Sequence, residues 1–137
     1  MVEINHRRKE LADLKVRQAI AHAIDKDFVV KTIFLGYAKP STGIVPQNAP
    51  EFYTPDVETY AFDVAKANAL LDEAGYAKGA DGNRFTLKLL PAPYFNETKQ
   101  FGDYLRQALA EVGIDAEIVN NDAPAHIKAV YTDHAFD

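Results

Sequence analysis

The stretch that decides the fold covers residues 85–119 and reads FTLKLLPAPYFNETKQFGDYLRQALAEVGIDAEIV. In its first part Phe85, Leu87 and Leu89 alternate with other residues and share one face, as in a β-strand that covers a core. A strongly amphipathic helical pattern follows and ends at Gly113, and IDAEIV then repeats the alternation. Strand, helix and strand in this order predict a βαβ unit, with parallel strands and a right-handed crossover.

Helical patterns precede this unit in the chain. Asp13, Asp25 and Asp63 each stand just before an amphipathic run, where an aspartate side chain can cap the first free amides of a helix. Asn96 has the same position before the helix inside the unit. Residues 37–62 contain several prolines and no sustained hydrophobic periodicity, which predicts a long ordered loop. Its aromatic residues predict that this loop is packed down: Phe52, Tyr53, Tyr60 and Phe62.

The two ends of the chain carry weaker signals. Residues 2–4 alternate briefly and predict a short strand, a last helix is predicted around residues 124–131, and residues 135–137 resemble the beginning of another strand. Together these patterns predict an α/β (α+β) fold, in which a small open sheet with a parallel βαβ unit is flanked by helices. A length of 137 residues fits a single domain, 1–137, with a real core.

Composition excludes several classes of function. A formal net charge of -5 argues against a nucleic-acid partner, which requires a basic face, and the cluster His6 to Lys9 is too short to change that expectation. The absence of cysteine removes thiol catalysis, disulfides and thiolate metal sites. No apolar run approaches the roughly 20 residues that a membrane span requires. No signal-peptide pattern follows Met1.

The nearest approach to a metal-ligating cluster lies near the carboxyl terminus. It consists of His126 and His134, together with Asp133 and Asp137. No histidine pair has the spacing that places both rings on one helix face, so neither a metal nor another cofactor is expected. A small metal-dependent hydrolase that uses the region around His126 and His134 remains the alternative from a different functional class.

The candidate ligand-binding residues are Tyr94, Phe95 and Asn96. They leave the carboxyl end of a predicted parallel strand and lead into a helix amino terminus, the edge at which open α/β sheets bind ligands. Pro91 and Pro93 stiffen this segment, and the adjacent aromatics offer a surface that can stack on a ligand. The competing interpretation has equal weight: both rings cover the hydrophobic core and contact no ligand.

The polar residues of the first helices have structural explanations. Arg17 can reach Asp13 or lie across a neighbouring helix end, and Asp25 serves as a cap. We therefore interpret the first two helices as scaffold without chemistry.

Several blocks resemble the family 5 extracellular solute-binding proteins, the dipeptide- and oligopeptide-binding components of bacterial ABC importers. DLKVRQAIAHAIDKDFVVKTIFLGYAKPSTGIVP, at residues 13–46, is similar to that family's D-x-x-V-R-Q-A-I-x-x-A-I-D segment. YAFDVAKANALLDEAGY, at residues 60–76, resembles its Y-D-P-x-K-A-x-x-L-L-x-E-A-G-Y block, with Val64 where the family usually has proline. FTLKLL, LRQALAEVGIDAEIV and YTDHAFD continue the resemblance in register to residue 137.

The resemblance implies a fragment that forms most of the second lobe of a two-lobe periplasmic binding protein, not an enzyme. The implied partners are a small peptide or related small solute, the remaining lobe and a membrane-bound ABC permease. The implied location of the parent protein is periplasmic or extracellular. Tyr94 matches a ligand-contacting tyrosine of dipeptide binders, whereas Ala92 replaces the arginine that they carry two residues earlier. A free-standing protein-interaction domain, marked by an exposed apolar patch, is a further alternative.

Overall fold

The structure is a computed structural model that describes residues 2–41, 43, 45 and 48–137. Helices α1 to α6 cover Lys9–Ala12, Leu14–Ala23, Lys26–Phe28, Val64–Glu73, Asn96–Glu111 and Ala123–Ile127. A first π-helix, Val29–Ile33, continues α3, and a second, Lys128–Thr132, continues α6. Strands β1 and β2 cover Phe85–Leu89 and Ile114–Ile118. In the described part of the chain no helix is long and apolar enough to cross a membrane.

The two strands form the predicted parallel pair around α5. Phe85 lies opposite Ile114 and Leu89 opposite Ile118, and Leu87 is the buried residue of β1. The ladder continues at one end, where the Val119 amide donates to the Leu89 carbonyl at 2.9 Å. Gly113 ends α5 with a φ of +78°, a conformation that side chains other than that of glycine rarely adopt. The predicted strand–helix–strand order with parallel strands and the predicted fold class are confirmed, and the right-handed crossover stays a prediction.

The core lies where helices α2, α4 and α5 meet the inner face of the sheet. Its members are apolar and almost inaccessible to solvent: Leu11, Val16, Ala19, Ile20, Ala23, Ala67, Leu71, Leu87, Leu105, Leu109, Val112, Ile114 and Ala116. Burial of this set supplies the main stabilisation of the fold. These residues recur at helical spacing in α2, α4 and α5 and at alternate positions in the strands, which is why the sequence pattern locates them.

Three of the four predicted helix caps are confirmed. Asp13, Asp25 and Asp63 accept hydrogen bonds from the amides of residues 15, 28 and 66, at 2.8 to 2.9 Å. The prediction for Asn96 is wrong, because Asn96 is the first helical residue of α5 and Phe95 occupies the cap position without a side-chain hydrogen bond. The backbone of Phe95 is extended (φ -136°, ψ 145°) and that of Asn96 is already helical, so the helix begins one residue earlier than the sequence suggests.

Arg17 lies across a neighbouring helix end, one of its two predicted positions. Its Nη1 donates to the carbonyls of Leu11 and Ala12 at 2.9 and 2.8 Å. These carbonyls belong to the last turn of α1, which has no later turn to supply amides. Arg17 therefore holds α1 against α2.

The predicted strands at residues 2–4 and 135–137 are wrong, since the described residues there form no ladder. The Lys88 amide of β1 donates to a carboxylate oxygen of Asp137 at 2.8 Å, and Arg8 donates to the Thr86 carbonyl at 2.6 Å. Side chains thus occupy one donor and one acceptor of the free β1 edge, and the backbone amide of Asp137 donates to the Lys88 carbonyl at 3.3 Å. Arg8 also pairs with Asp137 at 2.8 Å, so it is not the solvated residue that its basic cluster suggests.

The predicted long loop is confirmed in the described residues between 37 and 62, which contain no helix or strand. Met1 and, within this loop, Thr42, Ile44, Pro46 and Gln47 lie outside the described residues. The prediction that its aromatics pack down is only half right. Tyr60 packs edge-on against buried His22 and Tyr53 is half-buried, but Phe52 and Phe62 are 74% and 50% exposed.

Arg84 joins α4, β1 and α5 through one buried guanidinium. Its side chain is 2% exposed and donates to the Val112 carbonyl at 2.8 Å and to Asn68 Oδ1 at 3.0 Å. It also donates to the Tyr76 carbonyl and pairs with the Asp72 carboxylate. The guanidinium thereby satisfies the free carbonyls that follow both helices.

Candidate functional site

The loop between β1 and α5 is held in place by the helix that follows it. The Thr98 hydroxyl lies 2.5 Å from the Ala92 carbonyl and 2.6 Å from the Phe95 carbonyl, close enough to hydrogen-bond to either. At Gly102 the backbone of α5 approaches Pro91 so closely that an added Cβ would lie 2.6 Å from Pro91 Cγ. The loop is therefore fixed at the carboxyl end of a parallel strand, where the sequence predicts it to bind a ligand.

Tyr94 lines a cavity of about 300 Å³, which we name the Tyr94 cavity. Its walls come from the loop, α5, α6 and the second π-helix, and include Leu89, Pro91, Phe101, His126 and Tyr131. Tyr94 itself is 52% exposed. The cavity has the volume of a small ligand pocket and walls that are largely apolar and aromatic.

Phe95 lines a second concavity, of about 390 Å³, which we name the Phe95 cavity. It faces the first π-helix and the residues that follow, with Phe34, Leu35 and Tyr37 among its walls. Consecutive aromatic residues of the loop therefore line different cavities. Leu35 and Tyr37 are 73% and 94% exposed, so this side of the molecule presents the apolar surface expected of a binding face.

An exposed apolar surface is common to a protein-interaction domain and to a lobe that closes on a second lobe. The exposed surface at the Phe95 cavity therefore fits either function. Asn96, the third predicted site residue, is exposed at the amino terminus of α5 and lines neither cavity. The ligand-binding roles of Tyr94, Phe95 and Asn96 stay predictions.

His126 contributes to the Tyr94 cavity, a role that the sequence does not indicate. Its ring lies edge-on to Tyr94, with centroids 6.2 Å apart and an interplanar angle of 86°. The residue is 8% exposed. Its Nδ1 is enclosed without a hydrogen-bond partner among the described residues.

The structure does not assemble the predicted cluster of His126, Asp133 and His134. Asp133 forms an ion pair with Lys128, and exposed His134 has a φ of +51°. No group of three histidine or acidic side chains suitable for a metal occurs in the described ranges. The geometry therefore gives no support to the hydrolase alternative, because three protein ligands are the usual minimum for a catalytic zinc site.

Two tyrosines with raised pKa values lie away from both cavities. Burial raises the pKa of Tyr104, and the carboxylates of Asp25 and Glu111 add to the shift. The backbone amide of Asp25 donates to the Tyr104 hydroxyl at 2.7 Å, which opposes the shift by favouring the phenolate. Burial also raises the pKa of Tyr76. Neither tyrosine lines a cavity, so their shifts report packing at the core.

Comparison with known proteins gives consistent results. Residues 1–137 match the family described as bacterial extracellular solute-binding proteins, family 5 Middle. The glutathione-binding protein GsiB of Shigella flexneri is 34% identical over 122 residues, which are 89% of this chain and 23% of that protein. The dipeptide-binding protein of Escherichia coli is 32% identical over 124 residues, 90% of this chain and 23% of that protein.

A solved structure shows the same fold. The dipeptide-binding protein of Pseudoalteromonas sp. SM9913, in complex with Met-Leu, superposes with a TM-score of 0.85 and 26% sequence identity. The match covers 98% of this chain and 26% of that one. The chain thus spans about a quarter of the length of the relatives that it matches.

Proposed function

Because this chain belongs to the bacterial extracellular solute-binding proteins of family 5, we propose that it is one lobe of the solute receptor of an ABC importer and that small peptides are its ligands. The names of its relatives support this ligand class, since one binds glutathione, another binds dipeptides, and a third was solved with Met-Leu. The parent protein would act in the periplasm or outside the cell.

The observation that carries this proposal is the loop between β1 and α5. Tyr94 and Phe95 are both more than half exposed. Each ring lines a cavity, and both stand beside the free amides of the α5 amino terminus. Exposed aromatics at a rigid strand–helix junction are suited to stacking on a peptide bond or an apolar side chain.

The mechanism that we propose is closure of two lobes around the solute. This lobe supplies one wall of the cleft, the remaining lobe supplies the other, and a bound peptide stabilises the closed arrangement in proportion to its additional contacts. The closed form would then be recognised by the membrane permease. No bond is made or broken in this cycle, which fits a family of solute-binding proteins that are not enzymes.

The ligand contacts of this wall are expected to be neutral and aromatic. Ala92 supplies no cation at the loop, so a peptide carboxylate would have to be bound elsewhere. Stacking of one aromatic ring contributes about 0.5–1.5 kcal/mol beyond its area burial. One wall therefore provides weak binding, with a dissociation constant of about 1 mM or above.

Amide-resolved NMR titration of the 137-residue chain with Ala-Phe and Met-Leu tests the proposal. We expect shift changes confined to residues 92–98 and to the walls of both cavities. Tyr94→Ala should weaken binding about 3- to 10-fold, the equivalent of one lost stacking contact. Phe52→Ala is the matched control, because Phe52 is a 74% exposed aromatic outside both cavities. Unchanged spectra at about 10 mM peptide, or shifts that avoid the loop, would contradict the proposal.

A further inference from the structure

We propose that His126 is a specificity-determining residue of the Tyr94 cavity, where its Nε2–H donates a hydrogen bond to a neutral side-chain oxygen of the bound peptide. The inference rests on the proposed function and deepens it, because it assigns the chemical class of side chain that this cavity accepts. Such a side chain has an apolar stem and ends in an amide or hydroxyl oxygen.

The first step concerns the tautomer of the ring. A neutral imidazole has one N–H donor and one acceptor nitrogen, and its surroundings decide which nitrogen carries the proton. Nδ1 of His126 is enclosed and has no hydrogen-bond partner in the part of the chain that the structure describes. Orphaned buried N–H groups are rarer than acceptors with spare lone pairs. The proton is therefore expected on Nε2.

The second step concerns the direction of that proton. Nε2 also lacks a hydrogen-bond partner in the described ranges but is not enclosed, unlike Nδ1. The ring stands in the wall of the Tyr94 cavity and in T-shaped contact with Tyr94. An N–H at the accessible end of a mostly buried ring is available to a ligand, and no described residue accepts a hydrogen bond from it.

The third step concerns the charge of the acceptor. Apolar and aromatic walls surround the ring, including Phe101 and Val130. Desolvation of a carboxylate in such surroundings costs more free energy than a single neutral hydrogen bond contributes. The charged lining residues are Glu3, Lys88 and Asp137, and Asp137 is already engaged by Arg8 and by the Lys88 amide. A neutral oxygen is therefore the favoured partner.

The tautomer can be measured without a ligand. Long-range proton–nitrogen correlation spectra of the imidazole, recorded at pH of about 8, distinguish a protonated Nε2 from a protonated Nδ1. We expect the Nε2–H form for His126. Observation of the Nδ1–H form would overturn the inference and leave the proposed function intact.

The selectivity is measured with three peptides of similar shape, Ala-Gln, Ala-Met and Ala-Glu. His126→Leu should weaken the binding of Ala-Gln about 2- to 10-fold, which is the effect of one neutral hydrogen bond. The affinity for Ala-Met should stay within about twofold of the wild-type value. His126→Gln provides a donor near the position of Nε2 and should restore Ala-Gln binding. Both variants must reproduce the wild-type amide spectrum outside the cavity, and this agreement excludes a general effect on folding.

The outcomes separate the two proposals. Equal losses for Ala-Gln and Ala-Met, or a larger loss for Ala-Glu, would overturn the role of His126 while peptide-dependent shifts at residues 92–98 still support the proposed function. An absence of shifts for every peptide would contradict both.

Discussion

Replacement of Arg84 by methionine should destabilise the lobe by about 3 kcal/mol. Methionine retains an unbranched apolar stem but removes every donor from a side chain that is 2% exposed. The carbonyls of Tyr76 and Val112 then lose their charged donor, and an unpaired buried acceptor costs about 1–3 kcal/mol. Asp72 is 59% exposed and can return to water, so its lost ion pair adds little.

Urea unfolding followed by circular dichroism measures this change as a lower midpoint with an unchanged slope. Arg106→Met is the matched control, because Arg106 is 52% exposed and pairs with Asp103 on the same helix at 3.6 Å. We expect a change below about 0.5 kcal/mol for this control. A loss below about 1 kcal/mol for Arg84→Met would refute the reasoning that this guanidinium joins the ends of two helices.

Two further predictions concern a helix cap and an alkaline titration. Asp63→Ala should lower the free energy of unfolding in urea by about 1 kcal/mol, because it removes the acceptor of the Lys66 amide. Asn96→Ala should change the free energy of unfolding by less than about 0.5 kcal/mol. Equal losses in the two variants would contradict the assignment of Phe95 as the cap. The folded-state pKa of Tyr104 is raised, so the stability that it contributes is complete below about pH 10 and is lost as the pH rises through the folded-state value. The free energy of unfolding should therefore fall more steeply above pH 10 in the wild type than in Tyr104→Phe, and parallel curves would contradict a raised pKa.

Local patterns in the sequence account for much of the fold. The alternation in β1 and β2, the apolar stripe of α5 and the aspartate caps at residues 13, 25 and 63 all depend on neighbours within a few residues. The failure at Asn96 has a local cause as well, because the extended backbone ends at Phe95 and the helix begins at Asn96, one residue before the predicted start.

Contacts between distant parts of the chain could not be predicted in this way. His126 lies 32 positions after Tyr94, and its ring reaches the same cavity only because α6 and the second π-helix pack beside the β1–α5 loop. The Arg84 guanidinium donates to four residues, three before it and one after it in the sequence, and no periodic pattern predicts these hydrogen bonds. The exposure of the Phe52 and Phe62 rings could not be predicted either, because aromatic residues are buried only on average.

In one part of the Tyr94 cavity wall, α5 and the preceding loop approach as closely as they do only because residue 102 is glycine. At Gly102 only a hydrogen atom separates the α5 backbone from the ring of Pro91, and both residues line that cavity. An alanine at this position would force the helix or the loop to shift, because its Cβ would lie 2.6 Å from Pro91 Cγ. The spacing between these two pieces of backbone, and with it the shape of the wall that they share, therefore depends on the absence of a side chain at one position.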